Sequence, residues 1–202
     1  TDSNISCSPE FTNPERTGPD LPNPVNDGSI DDRTCYSNYS ESSVYGNTWG
    51  VYNITQGSNH LGTSLQPRME RASPIANPNA GSFVKFIGDF RILEVADAGD
   101  FTQDGTYIAQ AKGQHTGGGG SPDPAICLYR AHPVYGTGIN ADKQVAFDIY
   151  AERILERGGV GSSGREVVFL KRVDKNEIVS FELEVGFRED PTNSALKIHY
   201  CD

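Results

Sequence analysis

Three short segments of the sequence combine cationic, amide and phenol side chains that could hold an anion and transfer protons. Arginine and lysine attract anions, glutamine donates hydrogen bonds from its amide, and histidine, lysine or tyrosine can exchange a proton. The segments read PRMERA, YIAQAKGQH and LKIHYCD in chain order. Their polar residues are Arg68, Glu70 and Arg71; Gln110, Lys112, Gln114 and His115; and Lys197, His199 and Tyr200.

Strand geometry predicts that polar residues of one segment share a face. Side chains alternate along a strand, so Arg68 lies on the same side as Glu70. By the same rule Gln110 lies on the same side as Lys112 and Gln114. Such groups are costly to bury without partners. The face is therefore either plain solvated surface or the floor of a polar groove, and for the set together we predict the groove.

The composition predicts a β-rich chain with many turns around these segments. Among 202 residues there are 22 glycines and 12 prolines, and 36 % of the residues are hydrophobic. No run approaches the ~18 apolar residues that a membrane-spanning helix needs. Short alternating segments separated by Gly, Pro and Asp turns predict an all-β fold, an antiparallel β-sandwich of jelly-roll type. The clearest alternation runs from Val179 to Phe187, with Leu183 on the buried face.

The composition of the sequence changes near residue 36. Residues 1–35 are dense in Pro, Asn, Asp, Ser and Thr and have no apolar period, which predicts an irregular N-terminal arm. Residues 36–202 are expected to form a single jelly-roll domain. Within it the stretch AERILERGG (151–159) predicts one short helix. We expect a sequence without a signal peptide, because the start at Thr1 is typical of a mature or trimmed terminus.

The net charge of −10 argues against nucleic acid as a general partner. It leaves room for a local anionic ligand, because Arg68, Arg71, Lys112 and Arg130 recur in the segments that would line one groove. We expect a monomer with no membrane contact.

The four cysteines favour disulfides over a metal site. None forms a CxxC pair, which argues against zinc. One arrangement pairs Cys7 with Cys35 and Cys127 with Cys201, and the alternative is four reduced, buried cysteines.

No cofactor is required by the pattern, although acidic turns could hold a structural calcium. The candidate ligands are Asp97, Asp100 and Asp104, and Asp27, Asp31 and Asp32. Solvated turns are the alternative interpretation.

The succession of motifs resembles the jelly-roll polysaccharide lyases related to alginate lyases and glucuronan lyase. In that group an RxE strand motif precedes a QxH strand motif and an apolar strand. Arg68-Met69-Glu70 matches the first motif, and Gln110-Ala111-Lys112 matches the second with lysine where histidine is usual. The segment SPDPAICLYR follows as in the family. A lysine at this place resembles some ulvan-degrading lyases, and the resemblance covers roughly residues 45–200.

The resemblance implies a secreted enzyme that cleaves a uronate-containing polysaccharide, namely ulvan, alginate or glucuronan, by β-elimination. Arg68 and Gln110 would neutralise the uronate carboxylate. Lys112 would either assist them while Tyr200 acts as base and acid, or itself be the base, with a cation such as Arg68 lowering its pKa.

The catalytic tyrosine is the weakest match. The family carries it in a strand of the form YFKAGxY, which has no good counterpart here. Tyr200 is the nearest candidate by position, and the alternatives are Tyr129, Tyr135 and Tyr150.

Other polar residues of the matching segments would bind substrate. They are Glu70, Arg71, Gln114, His115, Tyr129 and Arg130. Two further functions fit the same pattern: a non-catalytic carbohydrate-binding module on the same sandwich, and a structural or adhesion domain whose polar strands are plain surface.

Overall fold

Strands dominate the part of the chain that the computed structural model describes. That part comprises residues 21–22, 29–32, 37–44, 46–54, 69–71, 77, 79–97, 99, 104–113, 115–116, 125–159 and 161–202. No helix in these ranges is long and apolar enough to cross a membrane. The residues cluster into two compact units, Thr1–Pro74 and Ile75–Asp202. The division into an arm (1–35) and one domain (36–202) remains a prediction.

The described residues of the first unit form two small antiparallel sheets. One has the order β1-β2-β5 and the other is the hairpin β3-β4. The bounds are β1 Leu21–Pro22, β2 Ser29–Asp32, β3 Ser37–Val44, β4 Asn47–Ile54 and β5 Met69–Arg71. The hairpin turns at Gly46, whose φ of 82° is open to glycine at no steric cost.

The second unit contains a four-stranded and a three-stranded antiparallel sheet. The four-stranded sheet has the order β10-β9-β8-β7, so each strand pairs with its neighbour in sequence, and the three-stranded sheet has the order β12-β11-β6. The bounds are β6 Phe83–Phe90, β7 Thr106–Lys112, β8 Ala125–Tyr135, β9 Gln144–Ile154, β10 Arg165–Asp174, β11 Val179–Asp190 and β12 Asn193–Cys201. A 3₁₀ turn at Gly138–Asn140 and a one-turn helix α1 at Gly161–Gly164 lie between strands.

The core of this unit lies between its two sheets. Ala131 and Phe147 of the four-stranded sheet are fully buried. Tyr129 packs edge-on against Phe181 of the facing sheet, with ring centroids 5.9 Å apart, and Leu183 belongs to the same cluster. Apolar side chains alternate inward from both sheets because the pleat sends successive residues to opposite faces. The predicted all-β fold and antiparallel sandwich are confirmed.

A disulfide joins the two sheets. Cys127 on β8 is bonded to Cys201 on β12, with Cα atoms 6.7 Å apart. This pairing was one of the two expected from the sequence and is confirmed. The expected partners Cys7 and Cys35 lie outside the described residues.

The helix predicted over residues 151–159 is wrong. Residues 151–154 are instead the last four of β9, which alternates with buried Ala151 and Ile154 and exposed Arg153. The strand pattern was hidden because Glu152, a charged residue, is also buried. Its carboxylate is compensated by partners on neighbouring strands, which the local sequence does not reveal.

Candidate active site

One face of the four-stranded sheet is polar and points away from the facing sheet; we call it the outer face. Cys127, Tyr129 and Ala131 of β8 point into the core, so the intervening residues of that strand point outward. Paired residues of adjacent strands share a face, and the register carries the assignment from β8 to its neighbours. The outer face consists of Tyr107, Gln110 and Lys112 on β7; Leu128, Arg130 and His132 on β8; Asp148, Tyr150 and Glu152 on β9; and Arg165, Val167, Phe169 and Arg172 on β10.

Strand β7 presents two of the predicted site residues at its end. Gln110 pairs with Leu128, and Ala111 pairs with Cys127 on the core side. The register then shifts, with the extra residue Ile126 on β8, so β7 keeps its own alternation and Lys112 follows Gln110 on the outer face. Gln110 is half-buried and Lys112 is exposed. The Gln110 amide and the Lys112 side chain are thus neighbours on the outer face, which suits an anionic ligand.

A buried ionic cluster lies beside Gln110 and Lys112 on the outer face. Glu152 is 3 % exposed and accepts contacts from two arginines: Arg130 Nε at 3.2 Å and Arg165 Nη1 at 2.7 Å. The Tyr107 hydroxyl donates to the same carboxylate over 3.1 Å. Burial and the adjacent carboxylate raise the pKa of Tyr107, so its phenol stays protonated. The cluster links β7, β8, β9 and β10 and fixes the outer face as one rigid platform.

Arg130 is engaged within that cluster. It is 6 % exposed, and its Nη1 also donates to the carbonyl oxygen of Asp104 over 3.2 Å. The buried guanidinium therefore stabilises the sheet through its contacts with Glu152 and Asp104. Direct contact between Arg130 and a substrate remains a prediction.

Two tyrosines expected near Lys112 point elsewhere. Tyr129 is buried between the sheets, and burial raises the pKa of its phenol. Tyr200 lies on β12 of the other sheet. Because Cys201 points inward to its disulfide, alternation sends Tyr200 outward, where its hydroxyl donates to Glu184 Oε1 over 2.8 Å. The structure therefore does not bring Tyr200 to the outer face that carries Lys112.

The two other tyrosines proposed as alternatives differ in position. Tyr150 lies on the outer face, with its ring 6.4 Å from that of His132. Tyr135 stands at the end of β8, where its hydroxyl donates to the carboxylate of Asp97. Tyr150 is thus the one of the four that shares a face with Lys112.

The N-terminal site residues belong to the first unit. Glu70 and Arg71 lie on β5, paired with Asp31 and Ile30 of β2. Arg68 and Gln114 lie outside the described residues, so their predicted roles stay predictions.

His115 and Thr116 connect the segment after β7 to β12. The His115 ring lies 4.3 Å from the His199 ring, and its Nε2 donates to the Ile154 carbonyl over 2.9 Å. The Thr116 amide donates to His199 Nδ1 over 3.1 Å, and the His199 amide donates to Thr116 Oγ1 over 3.0 Å. His199 must therefore keep Nδ1 unprotonated. Burial, with His115 beside it, lowers its pKa to about 4.

From the lowered pKa of His199 we expect the fold to be less stable in acid. The pKa of His199 falls from 6.5 to about 4 on folding, so the unfolded chain binds a proton in that range and the native chain does not. The free energy of unfolding should thus fall as pH drops from 6.5 to 4. His199→Asn keeps an acceptor near Nδ1 without titrating, and should flatten this slope in urea titrations at several pH values. Equal slopes for both proteins would contradict the assignment.

The described residues include no group of three or more His, Cys, Asp or Glu side chains placed to hold a metal ion. Asp97 accepts a hydrogen bond from the Gly99 amide over 2.9 Å, as in an ordinary turn. Asp100 and Asp27 lie outside the described residues. A structural calcium at either acidic turn remains a prediction.

Sequence reasoning did not single out Tyr107, Glu152, Arg165 and Phe169, which the structure places on the outer face. Glu152 was assigned to a helix, and the other three lie on strands whose outward positions depend on pairing. The strand registers place them, because Glu152 faces Leu128, Tyr107 faces Arg130, and Phe169 faces Tyr150.

The chain is similar to two known ulvan lyases. The chain is 66 % identical over 197 residues to an endo-acting ulvan lyase of Formosa agariphila, covering 97 % of this chain and 38 % of that protein. It is 54 % identical over 208 residues to an ulvan lyase of Nonlabens ulvanivorans, covering 100 % of this chain and 39 % of that protein. The chain thus spans about two fifths of the length of these relatives.

The family model of the PL28 ulvan lyases matches residues 1–202. The resemblance to polysaccharide lyases, and to ulvan lyases among them, is therefore confirmed. The chain belongs to the family of PL28 ulvan lyases.

Proposed function

We propose that this chain forms part of a secreted polysaccharide lyase that cleaves ulvan by β-elimination at the outer face. The names of its relatives support the substrate. The observation that supports the location is that Gln110 and the exposed Lys112 are neighbours on the outer face at the end of β7. The Cys127–Cys201 disulfide supports secretion, since disulfides persist mainly in oxidising compartments.

The reaction needs three groups. Removing the C5 proton of a uronate places negative charge beside its carboxylate, so a donor must neutralise that carboxylate. The Gln110 amide suits this role. Lys112 takes the C5 proton; the C4=C5 double bond forms as the C4–O4 bond breaks, and an acid protonates the departing O4.

Tyrosines of the outer face are the candidate acids. Tyr107 keeps its proton because its pKa is raised, although its hydroxyl is directed at Glu152. Tyr150 lies two strands from Lys112. Tyr200 is held by Glu184 on the other sheet and has no part in this proposal.

A second candidate function is a non-catalytic carbohydrate-binding module. The placement of Tyr200 favours it, because the Lys112–Tyr200 pair expected from the sequence does not share a face. The module would use the same polar surface for binding alone.

One assay separates the two. The protein is incubated with ulvan, alginate and glucuronan, and the absorbance of the unsaturated uronate is followed in the far ultraviolet. A rise with ulvan supports the lyase. Retardation in an ulvan-containing gel without any rise supports the module. If the protein shows neither the rise nor the retardation, both functions are contradicted.

A further inference from the structure

An apolar patch interrupts the polar outer face at its β10 edge. Phe169 is 53 % exposed, and Val167 on the same side of β10 is 46 % exposed. Single exposed apolar residues are common, but neighbours grouped within a polar surface are typical of a contact site. The patch lies on the sheet that carries Gln110 and Lys112.

An aromatic ring of the neighbouring strand packs against Phe169. Its ring centroid lies 5.7 Å from that of Tyr150 at an interplanar angle of 69°. Tyr150 in turn meets His132 at 6.4 Å and 84°. Such edge-to-face arrangements are favourable and hold a ring in one orientation. Phe169 is therefore a fixed surface, with part of its ring open to a ligand.

The arginines around the patch are already paired with carboxylates. Arg172 binds both oxygens of Asp148, at 2.7 and 2.8 Å. Arg165 contacts Glu152 at 2.7 Å. Local charge is thus balanced, and the surface suits the C–H-bearing face of a sugar ring better than a carboxylate.

We propose that Phe169, Val167 and Tyr150 form a subsite for the C–H-bearing face of a sugar unit near the uronate held by Gln110 and Lys112. This inference rests on the proposed function. Gln110, Leu128, Glu152 and Val167 form one row across the four strands, so Gln110 and Val167 are three strand spacings apart, about 14 Å at ~4.8 Å each. Lys112 and Phe169 lie two residues beyond this row in opposite directions. A polysaccharide chain that crosses the strands obliquely, over about 20 Å, can therefore contact both.

The test compares substitutions on the two sides of one strand. Phe169→Ala removes the ring, and Phe169→Leu keeps apolar volume without a ring. Leu170→Ala is the matched control, because Leu170 is 50 % exposed but lines the cleft between the sheets. Thermal melting checks that each variant is folded.

Phe169→Ala should raise KM for ulvan about tenfold and leave kcat within about twofold, as expected for loss of a contact that binds ground state and transition state alike. Phe169→Leu should lie between this variant and wild type, and Leu170→Ala should match wild type. Unchanged KM in a folded Phe169→Ala, or an equal rise in Leu170→Ala, overturns the subsite.

Binding measured without catalysis separates the two proposals. Retardation in ulvan-containing gels should weaken for Phe169→Ala and not for Leu170→Ala. If wild type binds ulvan without cleaving it, the proposed lyase activity is contradicted. The retardation of Phe169→Ala compared with that of Leu170→Ala then still tests the subsite. If wild type cleaves and both variants behave like wild type, the subsite alone fails. If wild type neither binds nor cleaves, both are overturned.

Discussion

Glu152→Ala should lower the free energy of unfolding by about 3–5 kcal/mol, the typical cost of removing one partner from a buried ion pair. Glu152 is 3 % exposed and Arg130 is 6 % exposed, so the substitution removes an ion-pair partner from a buried guanidinium. It also takes an acceptor from the Tyr107 hydroxyl. The cost arises from this loss of compensation, which is larger than the pair's net contribution.

The matched control is Glu166→Ala. Glu166 accepts a contact from Arg153 Nη1 at 2.7 Å, the same distance as the contact between Arg165 and Glu152. Both side chains of the control pair are largely exposed, so its loss should cost at most about 1 kcal/mol. Urea denaturation of the two variants measures the difference. Equal destabilisation would show that burial does not set the strength of the cluster.

Cys127→Ala/Cys201→Ala should lower the free energy of unfolding by about 4 kcal/mol. The bond closes a loop with a sequence separation of 74 residues, and the chain-entropy model gives about 4 kcal/mol for a loop of this length. The crosslink joins the facing sheets across the core, so the double substitution also removes a covalent link from the native state.

Urea denaturation distinguishes two causes of this destabilisation, the loss of the crosslink and the loss of core volume. Losing the crosslink expands the denatured chain, so the urea dependence (the m-value) should rise together with the loss of stability. A change confined to core packing would lower the midpoint with an unchanged m-value. Destabilisation below about 1 kcal/mol would contradict the role given to this bond.

The sandwich was predictable from the sequence because its strands follow a period of two. The alternation from Val179 to Phe187 places Leu183 and Phe187 in the core, as the structure has them. The same rule put Gln110 and Lys112 on one face. In each case the pattern was complete within one strand.

The failures concern residues whose environment comes from other strands. Glu152 looked like part of a helix, because a buried carboxylate is acceptable only with Arg130 and Arg165 around it. Tyr200 was expected beside Lys112, but its direction follows from Cys201 and the disulfide to the facing sheet. Neither the compensation of charge nor the choice of sheet can be read from a local period.

The most direct test of the account is the rate at which Lys112→Ala forms unsaturated uronate from ulvan. If Lys112 is the base at the outer face, its removal should reduce the rate at least about 100-fold. Lys175→Ala removes the same charge from an exposed turn and should leave the rate unchanged. Tyr200→Phe should also retain activity, because Tyr200 is bound to Glu184 on the other sheet. A Lys112→Ala protein as active as Lys175→Ala, or a Tyr200→Phe protein that is folded but inactive, would contradict the account.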